Sequence, residues 1–179
     1  AEQNMPAVAL TDQGNLFAMA KFYKTALGAG IKPLIGVDAW VSDGDSQAQP
    51  GRMVLLCQNN DGYQNLSELV SKSYLTNQHR GIPVIQSDWI HAHSDGLIAL
   101  SGGREGDVGR ALVAGKREEA EQLLKAWQET FGDRYYLELQ RTGRENEEHY
   151  IAEAVNLALA TDTPVVATND VRFLKADDF

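Results

Sequence analysis

The sequence contains a single cysteine and no long hydrophobic run. Cys57 has no second cysteine with which to form an internal disulfide, and this favours a reducing compartment; its apolar flank predicts a core thiol at the end of a strand. No segment approaches the roughly 20 apolar residues that a membrane span requires. The N-terminus lacks the basic and apolar regions of a secretory signal. We therefore expect a cytoplasmic protein with no membrane contact.

Basic residues are scarce. The chain has 16 Lys and Arg against 25 Asp and Glu, so its formal net charge is −9. A free-standing nucleic-acid binder is expected to carry a basic face that releases counterions from phosphates. The charge balance therefore disfavours direct DNA binding and favours a protein partner or a small ligand.

Proline is also rare, with 5 Pro and 16 Gly among 179 residues, of which 43% are hydrophobic. These fractions exclude a disordered tail, a collagen-like repeat and a coiled coil. The length suits one domain with a substantial core. Because the chain lacks an initiator Met and enters an apolar strand almost at once, we expect residues 1–179 to be a single domain truncated at both ends.

Apolar runs of strand length alternate with segments of helical period. Strands are predicted at 6–11, 33–41, 52–57, 96–100, 135–139 and 164–167. Helices are predicted at 15–28, from 61 onward, within 106–115, at 116–131 and at 146–161. Uninterrupted apolar strands are typical of sheets that helices cover on both faces. The pattern predicts an α/β fold with a parallel sheet, and the long excursion over 76–95 favours a distorted barrel.

Polar side chains follow several of these strands. They lie at Thr11–Asn15, Asp38, Ser101–Arg104, Gln140–Gly143 and Thr168–Arg172, and Glu138 lies within the fifth strand. In parallel barrels and open α/β sheets, functional groups gather where strands end. Capped strand ends also carry such residues for structural reasons, so a functional site and a structural role both stay open on this pattern.

Two other motifs resemble known metal or phosphate sites, but each is only a weak signal of such a site. His91-Ala92-His93 has the form of a metal-binding pair, but no third ligand stands nearby, and surface histidines are the better interpretation. The glycine-rich segment 101–109 is not followed by Gly-Lys-Ser or Gly-Lys-Thr, so we interpret it as a tight strand-to-helix turn rather than a phosphate loop.

Longer motifs run through nearly the whole chain in a specific order. They are Pro6–Phe17, Lys21–Tyr23, Gly30–Gly36, Asn60–Leu66, Gly96–Gly103, Gly106–Arg110, Tyr136–Leu139 and Pro164–Phe173. In this order they resemble the PHP (polymerase and histidinol phosphatase) domain of bacterial replicative DNA polymerase III alpha subunits. The resemblance implies an incomplete, distorted (β/α)7 barrel of parallel strands without its first strand and its C-terminal end. The polymerase palm, fingers and clamp-binding regions would be absent.

Metal-active members of this family bind metal ions through histidines and carboxylates at the C-terminal rim of the barrel. The resemblance places the following residues of this chain at that rim: Asp12, Gln13, Asp38, Arg52, Gly103, Asp170 and Arg172. An amide is a poor substitute for imidazole, and a guanidinium cannot bind a metal. We therefore expect a vestigial site with no metal and no catalytic residue.

The two arginines suggest a physical hypothesis for this site. Arg52 and Arg172 could form salt bridges with Asp38 and Asp170 and so supply the charge that a metal supplies elsewhere in the family. Replacing Arg172 with Ala should then destabilise the domain in metal-free buffer. Neutral drift at a disused site is the alternative, and the sequence leaves both open.

The resemblance also implies a function. The parent chain would be a DNA-directed DNA polymerase (a nucleotidyltransferase) that acts in DNA replication and uses Mg²⁺ held outside this chain. This fragment would be a scaffold without activity alone that docks the proofreading exonuclease subunit and reaches other replicase subunits through the parent. The alternative is a metal-dependent phosphoesterase or 3′–5′ exonuclease acting at Asp12, Asp38 and Asp170. A stand-alone histidinol-phosphatase relative is disfavoured by the polymerase-type motifs between 60 and 173.

Overall fold

Helices and strands alternate along residues 4–44 and 49–171, the ranges that the computed structural model describes. The strands are β1 (Ala7–Gln13), β2 (Lys32–Ser42), β3 (Gly51–Cys57), β4 (Gln78–His79), β5 (Ile82–Pro83), β6 (Ile85–Gln86), β7 (Leu97–Leu100), β8 (Tyr135–Gln140) and β9 (Val165–Thr168). The helices are α1 (Met19–Gly28), α2 (Asn60–Thr76), α3 (Ser87–Ala92), α4 (Asp107–Val113), α5 (Arg117–Phe131) and α6 (Glu147–Thr161). Short 3₁₀ turns occupy Gly103–Glu105 and Gly132–Arg134. The predicted elements are confirmed, with changes at their ends.

One mixed sheet organises the domain. Its strand order is β1-β2-β3-β7-β8-β9, and β6 pairs with the outer end of β2. Neighbouring strands are parallel except at β3, which runs antiparallel to both β2 and β7. The prediction of a wholly parallel sheet is therefore wrong at β3. Only residues 43–50 connect β2 to β3, and a parallel pair needs a crossover of a dozen residues or more, so the chain has to reverse direction.

The core lies between the sheet and the helices. Side chains alternate along β2, so that Val37, Ala39 and Val41 join the buried cluster while Asp38 lies on the other face of the sheet. The helices complete the core with Leu66, Leu69, Leu124, Trp127, Phe131, Ala154 and Leu157. Among the described residues, none of the helices is long and apolar enough to cross a membrane.

The elements differ from the sequence prediction in two places. Helix α1 begins at Met19 rather than at residue 15, because the preceding residues form a turn in which Asn15 Oδ1 accepts a hydrogen bond from the backbone N–H of Phe17 at 2.9 Å. The connection predicted over 76–86 contains the small hairpin β4–β5 and then β6. The polar loop between β2 and β3 is described at 43–44 and 49–50 only; its centre lies outside the described residues.

Cys57 ends β3 as the sequence predicts, although its side chain is only half-buried where it packs against the core. Burial raises the pKa of its thiol to about 11. The side chain is therefore a protonated, weakly nucleophilic thiol at neutral pH.

The backbone of α2 closely approaches the residue before β7 at two glycines, Gly62 and Gly96. A Cβ on Gly62, in the first turn of α2, would fall on the carbonyl oxygen of Gly96 and lie 2.5 Å from its carbonyl carbon. Gly62→Ala should therefore lower the free energy of unfolding by about 2 kcal/mol, in spite of the better helix propensity of alanine. Urea denaturation measures the difference.

Gly28→Ala is the matched control, because Gly28 lies in α1 and no atom lies within 4 Å of the Cβ position. This control should leave the stability unchanged or raise it by a few tenths of a kcal/mol, about what the helix propensity of alanine supplies near a helix end. Equal stabilities for the two alanine variants would contradict the close approach of the two backbones.

Candidate functional site

A buried ion pair joins strands β2 and β3 on the face of the sheet opposite the main core. Arg52 Nε donates to Asp38 Oδ1 at 3.1 Å, and Arg52 Nη2 donates to Asp38 Oδ2 at 2.6 Å. The two side chains are only 7% and 4% exposed. Because Arg52 lies opposite Trp40 in the antiparallel register, its side chain shares a face with Asp38, two residues before Trp40. The planar fork of arginine matches a carboxylate in this geometry.

Two further carboxylates surround the same guanidinium. Glu105, in the 3₁₀ turn after β7, accepts from Arg52 Nη1 at 2.7 Å. Asp170, just after β9, lies 3.8 Å from Arg52 Nη2. Arg144 closes the group, since its guanidinium lies 2.8 Å from Asp170 Oδ2 and 3.8 Å from Glu105 Oε1. We call these five residues the Arg52 cluster; they come from the middle of β2, the start of β3, the turn after β7, the loop after β8 and the segment after β9.

The charge of Arg52 is fixed by its surroundings. Burial opposes that charge, but hydrogen bonds to Asp38 and Glu105 and the charges of both acids outweigh burial and raise the pKa of Arg52 above its already high value. Arg52 therefore stays cationic at every pH at which the protein is folded.

The Arg52 cluster does not fit the metal ions that the family resemblance implies. Three carboxylates are gathered, but the guanidinium of Arg52 lies among them and donates to Asp38 and Glu105, while Arg144 donates to Asp170. A guanidinium has no lone pair to offer a metal. Over residues 4–44 and 49–171, the structure brings no three His, Cys, Asp or Glu side chains into a group that could hold a metal ion.

Glu138 forms a second buried acidic position beside the cluster. Its Oε1 accepts from Thr168 Oγ1 at 2.5 Å and from Gln140 Nε2 at 3.2 Å, whereas the buried Oε2 has no hydrogen-bond partner. Burial raises the pKa of Glu138, and the hydrogen bond from Thr168 and the charge of Arg52 only partly oppose the shift. Burial thus makes it harder to ionise this carboxyl beside the Arg52 cluster.

Three of the predicted site residues, Asp38, Arg52 and Asp170, come together as the sequence suggested. Asp12 has a different role. Its Oδ2 accepts a hydrogen bond from the backbone N–H of Ala18 at 3.1 Å, and this bond stabilises the turn before α1. Gln13 is exposed to solvent. These two residues therefore take no part in the Arg52 cluster.

Gly103 and Arg172 complete the predicted set. Gly103 begins the turn that carries Glu105, with a positive φ of 59° that favours glycine, and it lies beside the side chain of Gln140. Arg172 lies outside the described residues, so the salt bridge predicted for it stays a prediction.

Sequence reasoning missed Glu105 and Arg144. Both follow a strand within a few residues, Glu105 after β7 and Arg144 after β8. The strand-end rule could have found them if it had been extended past the first turn. Their roles depend on distant partners, since Glu105 is 53 positions from Arg52.

The loop that carries Arg144 is organised by a single carboxylate. Glu147, the first residue of α6, accepts from the backbone N–H groups of Thr142 at 2.6 Å, Gly143 at 2.7 Å and Arg144 at 3.3 Å, and from Thr142 Oγ1 at 2.6 Å. Burial would raise the pKa of Glu147, but these hydrogen bonds outweigh it and lower the pKa. The ionised carboxylate therefore holds the loop in the shape that brings Arg144 to Asp170.

The histidines lie away from this site. His91 is exposed, as predicted, and stacks on Trp127 with ring centroids 5.2 Å apart. His93 is half-buried rather than exposed, with its Nε2 3.3 Å from Glu68 Oε1. The His-x-His motif therefore serves packing and surface contacts.

The sequence of this α/β domain matches the model of a known family over most of its length. The model of the PHP domain matches residues 1–142. The chain belongs to the PHP domain family.

Within the PHP domain family, the chain is most usefully compared with relatives that share one name. It is 48% identical over 98% of its length to DNA polymerase III subunit alpha of Pseudomonas aeruginosa. It is 47% identical over its whole length to the protein of the same name from Escherichia coli K12, and 45% identical to that of Vibrio cholerae. The chain spans 15% of the length of each of these relatives.

Removing Arg52 should expose the energetic role of the cluster. Arg52→Ala leaves Asp38 buried without its guanidinium, and breaking a buried pair in this way costs about 3–5 kcal/mol. Urea denaturation in metal-free buffer at pH 7 measures the loss.

The control is Arg141→Ala, because Arg141 and Glu148 pair at 2.8 Å but are 69% and 71% exposed. Exposed pairs contribute at most about 1 kcal/mol. If Arg52→Ala costs no more than this control, the cluster is a product of drift and not a stabilising replacement.

Glu147 should give the domain a pH-dependent stability. Its folded pKa is lowered, so its contribution is complete above the unfolded pKa of about 4.3 and is lost as the pH falls through the folded value. Glu147→Gln should therefore cost on the order of 1 kcal/mol at pH 7, after allowance for solvent screening. The loss of stability in the variant should shrink as the pH falls below the pKa of a free glutamate carboxyl. Chemical denaturation from pH 3 to 7 tests this, with the exposed Glu148→Gln as control; a deficit that does not change with pH would exclude the ionised carboxylate as the cause.

Proposed function

We propose that this chain acts in DNA replication as the PHP domain of a DNA polymerase III alpha subunit, inside a cytoplasmic parent that performs DNA-directed DNA synthesis. The observation that carries the proposal is the similarity to such subunits over 98–100% of the chain. Nucleotidyl transfer by the parent would use Mg²⁺ bound outside these 179 residues.

We further propose that the sheet is part of a distorted PHP barrel completed by other segments of the parent. Strands β1 and β9 support this, because in the described ranges each pairs with a neighbour on one side only. Unpaired strand edges are hazards that proteins cover or close. Completion by the parent would cover both.

Within the parent the domain would be a scaffold without its own metal. The position of the guanidinium of Arg52 supports this role, since it supplies internally the positive charge that a metal would otherwise bring to Asp38, Glu105 and Asp170. An internal cation stabilises the fold but cannot activate water for phosphoester hydrolysis. The acids would therefore be structural.

The partner of the scaffold would be the proofreading exonuclease subunit, with other replicase subunits reached through the parent. The proposed docking surface comprises Phe17, in the turn before α1, and Tyr23 and Leu27 on α1, which are 85%, 45% and 52% exposed. Tyr23 and Leu27 are one helical turn apart and so share a face of α1. Clustered exposed apolar side chains mark interaction surfaces, and the net charge of −9 disfavours DNA as the ligand.

Docking can be tested by calorimetry with the purified cognate exonuclease subunit. The double variant Phe17→Asp/Leu27→Asp should bind at least about tenfold more weakly than the unmodified chain, because it places charge in an apolar contact. The control is Leu75→Asp, since Leu75 is 83% exposed on α2, outside the proposed surface; it should bind as the unmodified chain does.

Two results would contradict this docking surface. One is the absence of saturable binding by the unmodified chain. The other is an equal loss of affinity in the α1 and α2 variants.

A further inference from the structure

A second site lies on the helix-covered face of the sheet. There a cavity of about 510 Å³ opens between the ends of β2 and β3 and the helices α4 and α5. Its apolar wall comprises Val41, Met53, Ala111, Leu123, Ala126 and Trp127. Met53 follows Arg52 in β3, so its side chain alternates to the face opposite the Arg52 cluster. Most of the cavity therefore lies on the other face of the sheet from the Arg52 cluster, although Arg52 also borders it, and its volume lies in the range of small-molecule sites.

One wall of the cavity is a fixed aromatic surface. Trp127 is only 4% exposed, and its Nε1 donates to Asp107 Oδ2 at 2.7 Å. His91 stacks on Trp127 with an angle of 21° between the rings. A ring held by a hydrogen bond and a stacked neighbour loses little entropy when a second ring packs beside it. Because only a small part of the Trp127 ring is exposed, a flat ligand would contact it together with the more exposed Leu123 and Ala126.

Arg110 gives the cavity a directed positive charge. Its guanidinium donates to the backbone oxygens of Gln49, at 2.6 Å, and of Pro50. Those two bonds use two of its five N–H donors. Within the part of the chain that the structure describes, Arg110 makes no ion pair with a carboxylate. Burial lowers the pKa of Arg110, and the charges of Glu105 and Asp107 partly oppose that shift. A desolvated guanidinium with spare donors favours an oxyanion.

Of the other charged groups that line the cavity, Asp43 is exposed to solvent, and the remaining groups are already engaged. Lys116 pairs with Glu119 at 2.9 Å, and Arg52 belongs to the cluster on the other face. Asp107 accepts from the backbone N–H of Val108 at 2.7 Å as well as from Trp127. Arg110 is thus the cavity group best placed to orient a ligand.

We propose that this cavity binds a small aromatic carboxylate, with its carboxylate on the guanidinium of Arg110 and its ring against Leu123, Ala126 and the exposed part of Trp127. The proposal is independent of the replication role, because it uses neither the Arg52 cluster nor the α1 surface. A neutral aromatic ligand that ignores Arg110 is the competing outcome.

The probes are 2-naphthoate and its neutral analogue 2-naphthamide, titrated into the 179-residue chain by calorimetry. The indole N–H resonance of Trp127 is followed by NMR in parallel. We expect saturable binding that shifts this resonance, with naphthoate at least about tenfold tighter than naphthamide, as one charge-assisted bidentate contact provides. Equal affinities for the two probes, or no saturable binding, would overturn the proposal.

Two variants separate the contributions of charge and shape. Arg110→Gln should remove the preference for naphthoate, while Lys125→Gln, which removes a charge from the exposed face of α5 outside the cavity, should preserve it. Ala126→Phe fills the cavity from an exposed position and should weaken both probes at least about tenfold without unfolding the chain. Unchanged naphthoate affinity in Arg110→Gln or in a folded Ala126→Phe would overturn the proposed site.

Discussion

The fork between Arg52 and Asp38 is the contact on which the strand-end face of the sheet depends. Removing two charges from water is costly, and the attraction between them offsets that cost only when the geometry is good and the remaining donors are satisfied. Arg52 comes close to both conditions, since Glu105 accepts from Nη1, which Asp38 leaves, and the charge of Asp170 lies 3.8 Å from Nη2. A single side chain thereby fixes β2, β3, the turn after β7 and the end of β9 relative to one another.

The reversed direction of β3 makes this contact possible. Because β3 runs antiparallel to β2, its first residues lie at the end of the sheet where β2 finishes, and position 52 faces the same side as position 38. In a wholly parallel sheet the start of β3 would lie at the opposite end. The one feature in which the sheet departs from the parallel expectation is therefore the feature that brings a cation to the acids.

How far the sequence predicts this arrangement can be judged element by element. Periodicity located the helices and main strands, because burial of one face imposes a period on the sequence. It did not give the direction of β3, since an apolar run reads the same in either sense; the short 43–50 connection was the available signal. Family motifs grouped Asp38, Arg52 and Asp170, but Glu105 and Arg144 reach the site through contacts between distant segments. Local patterns cannot encode such contacts.

An internal cation changes what the rest of the domain can be used for. A site held together by a metal is stable only when the metal is present, whereas the Arg52 cluster carries its counter-charge in the chain. Helix α1 gains little stability from packing against the domain, because Ala26 is its one buried residue. Leu27 in this helix and Phe17 just before it are more than half exposed. Covering such exposed apolar area with another surface would contribute about 25 cal/mol of favourable free energy per Å². The domain therefore combines a strand-end face whose acids pair with arginines of the same chain and an outer helix that leaves apolar side chains exposed to solvent.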